Sequence, residues 1–289
     1  VDERKITDIS DSESFINEEL TGLRQADVKH FRLESGLNIA VLYSEPVNYR
    51  DSEGKWQEID NSLVLKETAD SGAYYSLKAS DVDLRMPQTI GGENGIYISK
   101  NNIPFEMSAV SVKGIISEKA IISDNIKSEI NYDENTSEIE ISNTERIQSA
   151  ITASEIEYKA AFIGADLKYT VSSSAIKEDI IINEPQEEYT YDFQLNYGEL
   201  IPVKTEDGSI GFFASADDEE AVYTLSAPYM YDADGDLSEE VELSLKDNTL
   251  TVTASEKWIN KHSRTFPVTI DPTITIGSSS IQDSHVRKF

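Results

Sequence analysis

The stretch VELSLKDNTLTVTA, Val241 to Ala254, carries its own strand pairing. Asp247-Asn248 suits a two-residue hairpin turn, which sets Leu245 opposite Leu250, Leu243 opposite Val252 and Val241 opposite Ala254. These six share one face. Glu242, Ser244, Thr251 and Thr253 take the other, the pattern of an antiparallel sheet with one wet side.

The same two-residue period recurs outward from this hairpin. A second hairpin is expected at Asp51-Ser52-Glu53-Gly54, where a four-residue loop would pair Tyr49 with Trp56 and Val47 with Glu58. A third turns at Asp207-Gly208. Leu167, Tyr169 and Val171 alternate with Lys168 and Thr170, and Ile180-Ile181-Ile182 is a continuous apolar run suited to a strand buried on both faces. One helix is expected, from Asp11 to Arg24, because Ser10 and Glu13 have capping-box spacing and Ile16, Leu20 and Leu23 share a helical face. Gly22 weakens its end.

The fold expected is therefore all-β: a large antiparallel multi-stranded β-sandwich of two big sheets with a short N-terminal helix, two smaller sandwiches being the runner-up. Residues 1–27 form the helix and lead-in, and 28–274 the sandwich. Residues 275–289 form a linker, through Gly277-Ser278-Ser279-Ser280, and the first residues of a following domain. Gly91-Gly92-Glu93-Asn94-Gly95 is the weakest joint within the sandwich.

Twenty-five Lys and Arg stand against 54 Asp and Glu, a net charge of -29. Such a field repels phosphate backbones and anionic lipid surfaces, so neither nucleic acid nor an inserted membrane is expected as a partner. Cysteine is absent, which excludes disulfides, thiolate nucleophiles and sulfur-ligated zinc. No run reaches membrane-spanning length, and the start at Val1 lacks the form of a signal peptide.

His30, His262 and His285 lie too far apart for a two-histidine metal motif, and Ser263 beside His262 has no nucleophile elbow around it. Asp232, Asp234 and Asp236 alternate in YDADGDL and invite a calcium reading. Gly235 precedes the third acid, though, and Leu243 stands where a bidentate Glu is required. The plain reading is an Asx-rich turn with Gly235 at positive φ. No metal and no cofactor is expected. The aromatic pair Tyr49 and Trp56 either closes a core or, on an open face, offers sugar rings a flat stacking surface. Trp56 shares its side with Glu58 and Asp60, a polar setting. Trp258 in SEKWI reads as a packing anchor on a short helical turn, and Asp217 to Glu220 as a solvated loop.

Six stretches carry a resemblance: KHFRLESG from Lys29, SEPVNYRDSEGKWQEIDNSL from Ser44, IEYKAAFIGADLKYTVSSSAIKEDIII from Ile156, SAPYMYDADGDLSEEV from Ser226, TFPVTIDPTI from Thr265 and IQDSHV from Ile281. Together they resemble the non-repeat region that precedes the DNRLRE-type domain and RHS repeats in secreted, wall-associated proteins of Gram-positive bacteria. The resemblance implies a secreted or cell-surface location and supplies no catalytic residue. On it rests the expected function: a non-catalytic structural or adhesive module, binding cell-wall or host glycans through Trp56 and Tyr49 and packing on downstream domains of the same polypeptide. The alternative is a carbohydrate-active enzyme on the same scaffold, a glycoside hydrolase, lyase or epimerase.

Overall fold

The structure, a computed structural model, describes residues 15–68, 72–110, 120–126, 143, 147 and 153–277. The strands of the described residues form two large antiparallel sheets and two small ones. The eight-stranded sheet runs, edge to edge, through Val241–Lys246, Thr249–Ala254, Thr190–Asn196, Ile103–Ala109, Ile96–Lys100, Val82–Pro87, Gly72–Ala79 and Asp60–Thr68. The eleven-stranded sheet runs through Ile121–Ile126, Ala153–Phe162, Ala165–Val171, Ala175–Ile182, Thr273–Ile276, Tyr223–Leu225, Ile210–Phe213 and Ile201–Lys204. Tyr229–Tyr231, Leu237–Ser238 and Val268–Asp271 extend it off that path.

The hairpin at Val241 pairs as its sequence dictates, with Leu245 opposite Leu250, Leu243 opposite Val252 and Val241 opposite Ala254. Asp247 and Asn248 both take positive φ, 47° and 64°, the conformation of a two-residue turn that matches strand twist. Leu243, Leu250, Val252 and Ala254 are buried, while Glu242, Ser244 and Thr253 are exposed. The turn at Asp207-Gly208 also joins paired strands, Ile201–Lys204 and Ile210–Phe213. Between Val82–Pro87 and Ile96–Lys100, Gly91 and Asn94 bridge each other, so the Gly-rich stretch is a turn within one sheet.

Inward side chains of both big sheets merge into one core. Phe105 meets Phe212 and Tyr223 with ring centroids 5.0 and 5.2 Å apart, and Phe162 meets Tyr191 and Phe193 at 5.1 and 5.4 Å. Polar ties cross the same interior. The Tyr158 hydroxyl donates to the Pro87 carbonyl at 2.8 Å, and the Tyr223 hydroxyl donates to Ile103 O at 2.6 Å while accepting from Lys100 N at 3.0 Å. Burial of apolar surface drives the layers together, and these bonds fix which strand ends face each other. Tyr223→Phe leaves a buried N–H and a carbonyl without a partner, so a loss of about 2 kcal/mol is expected. Equal urea midpoints for variant and wild type would show that the tie contributes nothing.

Three expectations change. In its described part the helix over Asp11 to Arg24 does not form: Ile16–Glu19 is a strand paired with Val28–Leu33, and Thr21–Leu23 makes one 3-10 turn. Residues 11–14 lie outside the described residues. Ile16 is buried against Phe31 and Leu33, whereas Leu23 stays half exposed, so pairing with a neighbouring strand outweighs a local capping signal.

The second change concerns the N-terminal part, which does not share the main interior. Ile16–Glu19, Val28–Leu33 and Asn38–Leu42 make a three-stranded sheet with its own small core of Ile16, Phe31 and Leu33. The ribbon Asn48–Arg50 with Trp56–Glu58 is linked to that sheet by the ion pair of Lys29 Nζ with Glu58 Oε1 at 2.9 Å. The third concerns Ile181, which is only half-buried while Ile180 and Ile182 are buried. The strand Ala175–Ile182 alternates after all, because charged and polar residues line its outer side.

Candidate functional site

That outer side holds the densest charge arrangement of the described residues. Strand alternation sends Ile176, Glu178, Ile180 and Ile182 into the core and Lys177, Asp179 and Ile181 outward. Lys168 stands opposite Asp179 on the next strand, and Val268–Asp271 on the other flank ends beside Lys177. The Lys177 ammonium lies 2.6 Å from Asp179 Oδ1 and 2.9 Å from Asp271 Oδ2. Lys168 adds contacts to Asp179 and Glu155 at 3.5 and 3.3 Å. Asp179 and Asp271 are buried, and Lys177 is the half-exposed cation above them. Burial would lower the Lys177 pKa, but the two carboxylates raise it further. It stays a cation and offers no amine nucleophile.

Lys177 and Asp271 also line a groove of about 700 Å³, which runs between Ala175, Thr273 and Thr275 of one sheet and the edge residues Val241 to Leu243 of the other. Lys204 crosses it, donating to Leu243 O at 2.7 Å. Five carboxylates (Glu45, Asp207, Glu239, Glu242 and Asp271) face two lysines there. An anion entering this groove meets net repulsion, and both lysines already have carboxylate partners.

On the core side of the same strand, Glu178 is 1 % exposed and stands opposite Tyr169. Burial pushes its carboxyl up to about 8, against the lowering effect of the Tyr169 hydroxyl and with smaller upward contributions from Asp179 and Asp271. Its Oε2 has no hydrogen-bond partner.

The expected aromatic platform is not assembled. The turn after Arg50 has five residues, Asp51 to Lys55: Asp51 N donates to Lys55 O at 3.0 Å, and Asp51 Oδ1 accepts from Glu53 N and Lys55 N at 2.9 Å each. Register therefore shifts by one: Trp56 faces Arg50, Tyr49 faces Gln57 and Asn48 faces Glu58. A one-residue slip moves a side chain to the opposite face, so Trp56 and Tyr49 point to opposite sides of the ribbon. The Arg50 guanidinium covers the Trp56 ring at 4.2 Å.

The Asp-rich turn is held by a side chain. Asp232 Oδ1 accepts from the backbone N–H groups of Asp234 and Asp236 at 3.1 and 2.9 Å, and Gly235 has φ 87°. The cation present is Arg264, whose Nη1 lies 2.7 Å from Asp232 Oδ2 and 3.3 Å from Asp236 Oδ2. Its guanidinium stacks 3.3 Å over Trp258, on the helical turn Glu256–Ile259 capped by Ser255. Burial would raise the Asp232 pKa, but Arg264 and the backbone donors outweigh it and hold the carboxyl below its usual range. Asp217 to Glu220 are exposed. His30 is half-buried, His262 exposed, and His285 lies outside the described residues. Among the described residues no three His, Asp or Glu are placed to hold a metal ion.

Sequence reasoning missed the Lys177 cluster. Its signal was the Lys177-Glu178-Asp179 triplet set into an otherwise apolar strand, which period-2 alternation splits between core and outer face.

No protein-family model matches the chain, and no solved structure does. Three curated relatives align over 276 residues, 91 % of this chain, at 25 % identity. They are the tRNA nuclease WapA of Bacillus subtilis strain 168, the tRNA3(Ser)-specific nuclease WapA of Bacillus spizizenii and the tRNA(Glu)-specific nuclease WapA of Bacillus subtilis subsp. natto. The chain spans about a tenth of their length, 11, 11 and 10 %.

These relatives overturn the functional expectation. Proteins named for tRNA cleavage conflict with a non-catalytic adhesive module, with its carbohydrate-active alternative, with glycan partners and with the exclusion of nucleic acid. The charge argument has a limited reach. A net charge of -29 sets the field around these 289 residues, whereas what a polypeptide some ten times longer contacts is decided by whichever of its segments carries the cations.

Proposed function

We propose that the chain is one segment of a long secreted polypeptide that cleaves tRNA, lying in the non-repeat region that precedes a DNRLRE-type domain and RHS repeats. The alignment with three relatives named as tRNA nucleases, over nearly the whole of this chain, carries the reading. Nuclease activity is proposed for the whole polypeptide, because this segment corresponds to a tenth of those relatives. Secretion and the neighbouring RHS repeats rest on the six quoted stretches. No helix of the described residues is long and apolar enough to cross a membrane.

Electrostatics bear on where RNA would touch. Phosphate contacts need cations free to exchange with counterions. Most described cations, among them Arg24, Lys29, Lys100, Arg264 and the lysines of the groove, are already ion-paired within the chain, and the exposed Lys246, Lys257 and Lys261 outside those pairs are scattered over a segment whose net charge is -29. The reading therefore assigns phosphate contacts to other parts of the polypeptide.

The test is to incubate total tRNA with the full polypeptide and, separately, with this chain. Discrete cleavage products are expected from the full polypeptide and intact tRNA from the chain alone. A full polypeptide that leaves tRNA intact overturns the reading. Cutting by the isolated chain would instead place the catalytic groups in this segment and overturn the assignment of RNA contacts elsewhere.

A further inference from the structure

Glycine follows an Asp or Asn at three places in the chain: Asn94-Gly95, Asp207-Gly208 and Asp234-Gly235. Such a pair is chemically exposed, because glycine has no side chain to shield its backbone nitrogen from the side-chain carbonyl before it. At Asp207 and Asp234 the fold occupies both reacting groups. Gly208 N donates to Thr205 O at 3.1 Å, and the Asp207 carboxylate accepts from Ser209 N at 3.1 Å and from the hydroxyls of Thr205 and Ser209. Gly235 N donates to Asp232 O at 2.9 Å, and Asp234 Oδ2 accepts from Thr265 Oγ1 at 2.6 Å.

Asn94-Gly95 differs on both counts. The turn 91–94 is closed by backbone alone: Gly91 N donates to Asn94 O at 3.0 Å and Asn94 N to Gly91 O at 3.2 Å. Among the described residues neither the Asn94 side-chain amide nor the Gly95 N–H has a hydrogen-bond partner. Asn94 is exposed and Gly95 half-buried, so solvent reaches the pair. Packing also forces the glycine: a Cβ at position 95 would sit 2.4 Å from Met107 O and 2.7 Å from Ser108 Cβ.

We propose that Asn94 is a site of spontaneous covalent modification, converting to aspartate and isoaspartate in the folded protein. Gly95 N loses its proton to solvent base and attacks Asn94 Cγ. The new bond forms as the bond from Cγ to Nδ2 breaks, and the leaving nitrogen takes up a proton and departs as ammonia. Water then opens the cyclic imide. Cleavage between Cγ and Gly95 N gives aspartate, and cleavage between the Asn94 backbone carbonyl carbon and Gly95 N gives isoaspartate. Overall one water is consumed and one ammonia released. Isoaspartate lengthens the backbone path by one carbon and turns the carbonyl that accepts from Gly91 into a carboxylate off the chain. Ile90 and Ile96 hold the two ends of the turn, both fully buried, and Gly95 lies against Met107. The added length therefore falls on the turn, and the bridge between Gly91 and Asn94 is lost.

Ageing the 289-residue chain at mildly alkaline pH, folded and in urea, with tryptic peptides followed by mass spectrometry, tests this. Peptide 86–100 carries Asn94, and peptide 205–246 carries both Asp pairs. Conversion of Asn94 is expected to be at most about threefold slower in the folded chain than in urea, whereas folding slows isomerisation at Asp207 and Asp234 by roughly tenfold or more. Asn94→Gln, which would need a larger and less favoured ring, is expected to abolish the conversion. The isoaspartate form, separated by ion exchange, is expected to unfold at lower urea than Asn94→Asp, which adds the same charge on a normal backbone. Three results would each overturn the proposal: peptide 86–100 remaining asparagine in the folded chain while it converts in urea, equal slowing of all three pairs by folding, or isoaspartate still forming in that peptide of Asn94→Gln. An isoaspartate form as stable as Asn94→Asp would overturn the loss of the bridge.

Discussion

Glu178→Gln is expected to stabilise the protein by roughly 2 to 4 kcal/mol at pH 8.5 while changing it little at pH 5. Glu178 is fully enclosed between the sheets, and its folded-state pKa is raised from 4.5 to about 8. Below pH 4.5 the carboxyl carries its proton both folded and unfolded, so burial adds no pH-dependent cost. Between pH 4.5 and 8 the unfolded chain releases the proton and the folded chain keeps it. The unfolded state then binds fewer protons, and stability falls as pH rises. Above 8 both states are ionised and the loss levels off, at a magnitude on the order of 4 kcal/mol. Glutamine keeps the shape and cannot ionise, so the difference between the two proteins isolates this one group. Urea unfolding across pH 5 to 9 reads it directly. Parallel curves for wild type and variant would mean that Glu178 titrates normally and is not sealed in the core.

The second large effect belongs to Arg264. Its side chain is 3 % exposed and that of Asp232 is 1 %, so Arg264→Ala leaves a buried carboxylate without its cation. Breaking such a pair from one side costs about 3 to 5 kcal/mol, and the stacked Trp258 ring loses its cover as well. Arg264→Lys should recover only part of this, because one ammonium cannot reach both Asp232 and Asp236 and lie flat on an indole. Thermal melts of the three proteins decide it. An alanine variant within about 1 kcal/mol of wild type would show the turn to be held by the Asp232 backbone contacts alone.

Together these residues explain why a chain with 54 acids contains so few that read as chemistry. Lys177, Arg264 and Lys29 are each committed to carboxylates that hold neighbouring strands or turns together. The acidic surplus is left on solvated faces such as Asp217 to Glu220, where it repels other anions. A tRNA-cleaving polypeptide containing this segment would keep RNA away from it, and the full-length cleavage assay puts that arrangement at risk.

By itself the sequence determined whatever depends on neighbours along the chain. The register at Val241 to Ala254 follows from a two-residue turn, and the burial of Leu167, Tyr169 and Val171 follows from alternation, because in both cases the deciding geometry spans only a few residues. The same locality explains the error at Trp56: the sequence contains the Asp51 turn, but whether four or five residues close it depends on where the Asp51 carboxylate finds its N–H donors. Only the tertiary structure decided which charges are enclosed. Lys177 meets Asp271, and Asp232 meets Arg264, because distant strands and turns stack side by side. A titratable group's solvation depends on everything packed around it, and a linear pattern does not record that. For the same reason Glu178, one position from the half-exposed Lys177, ends inside the core.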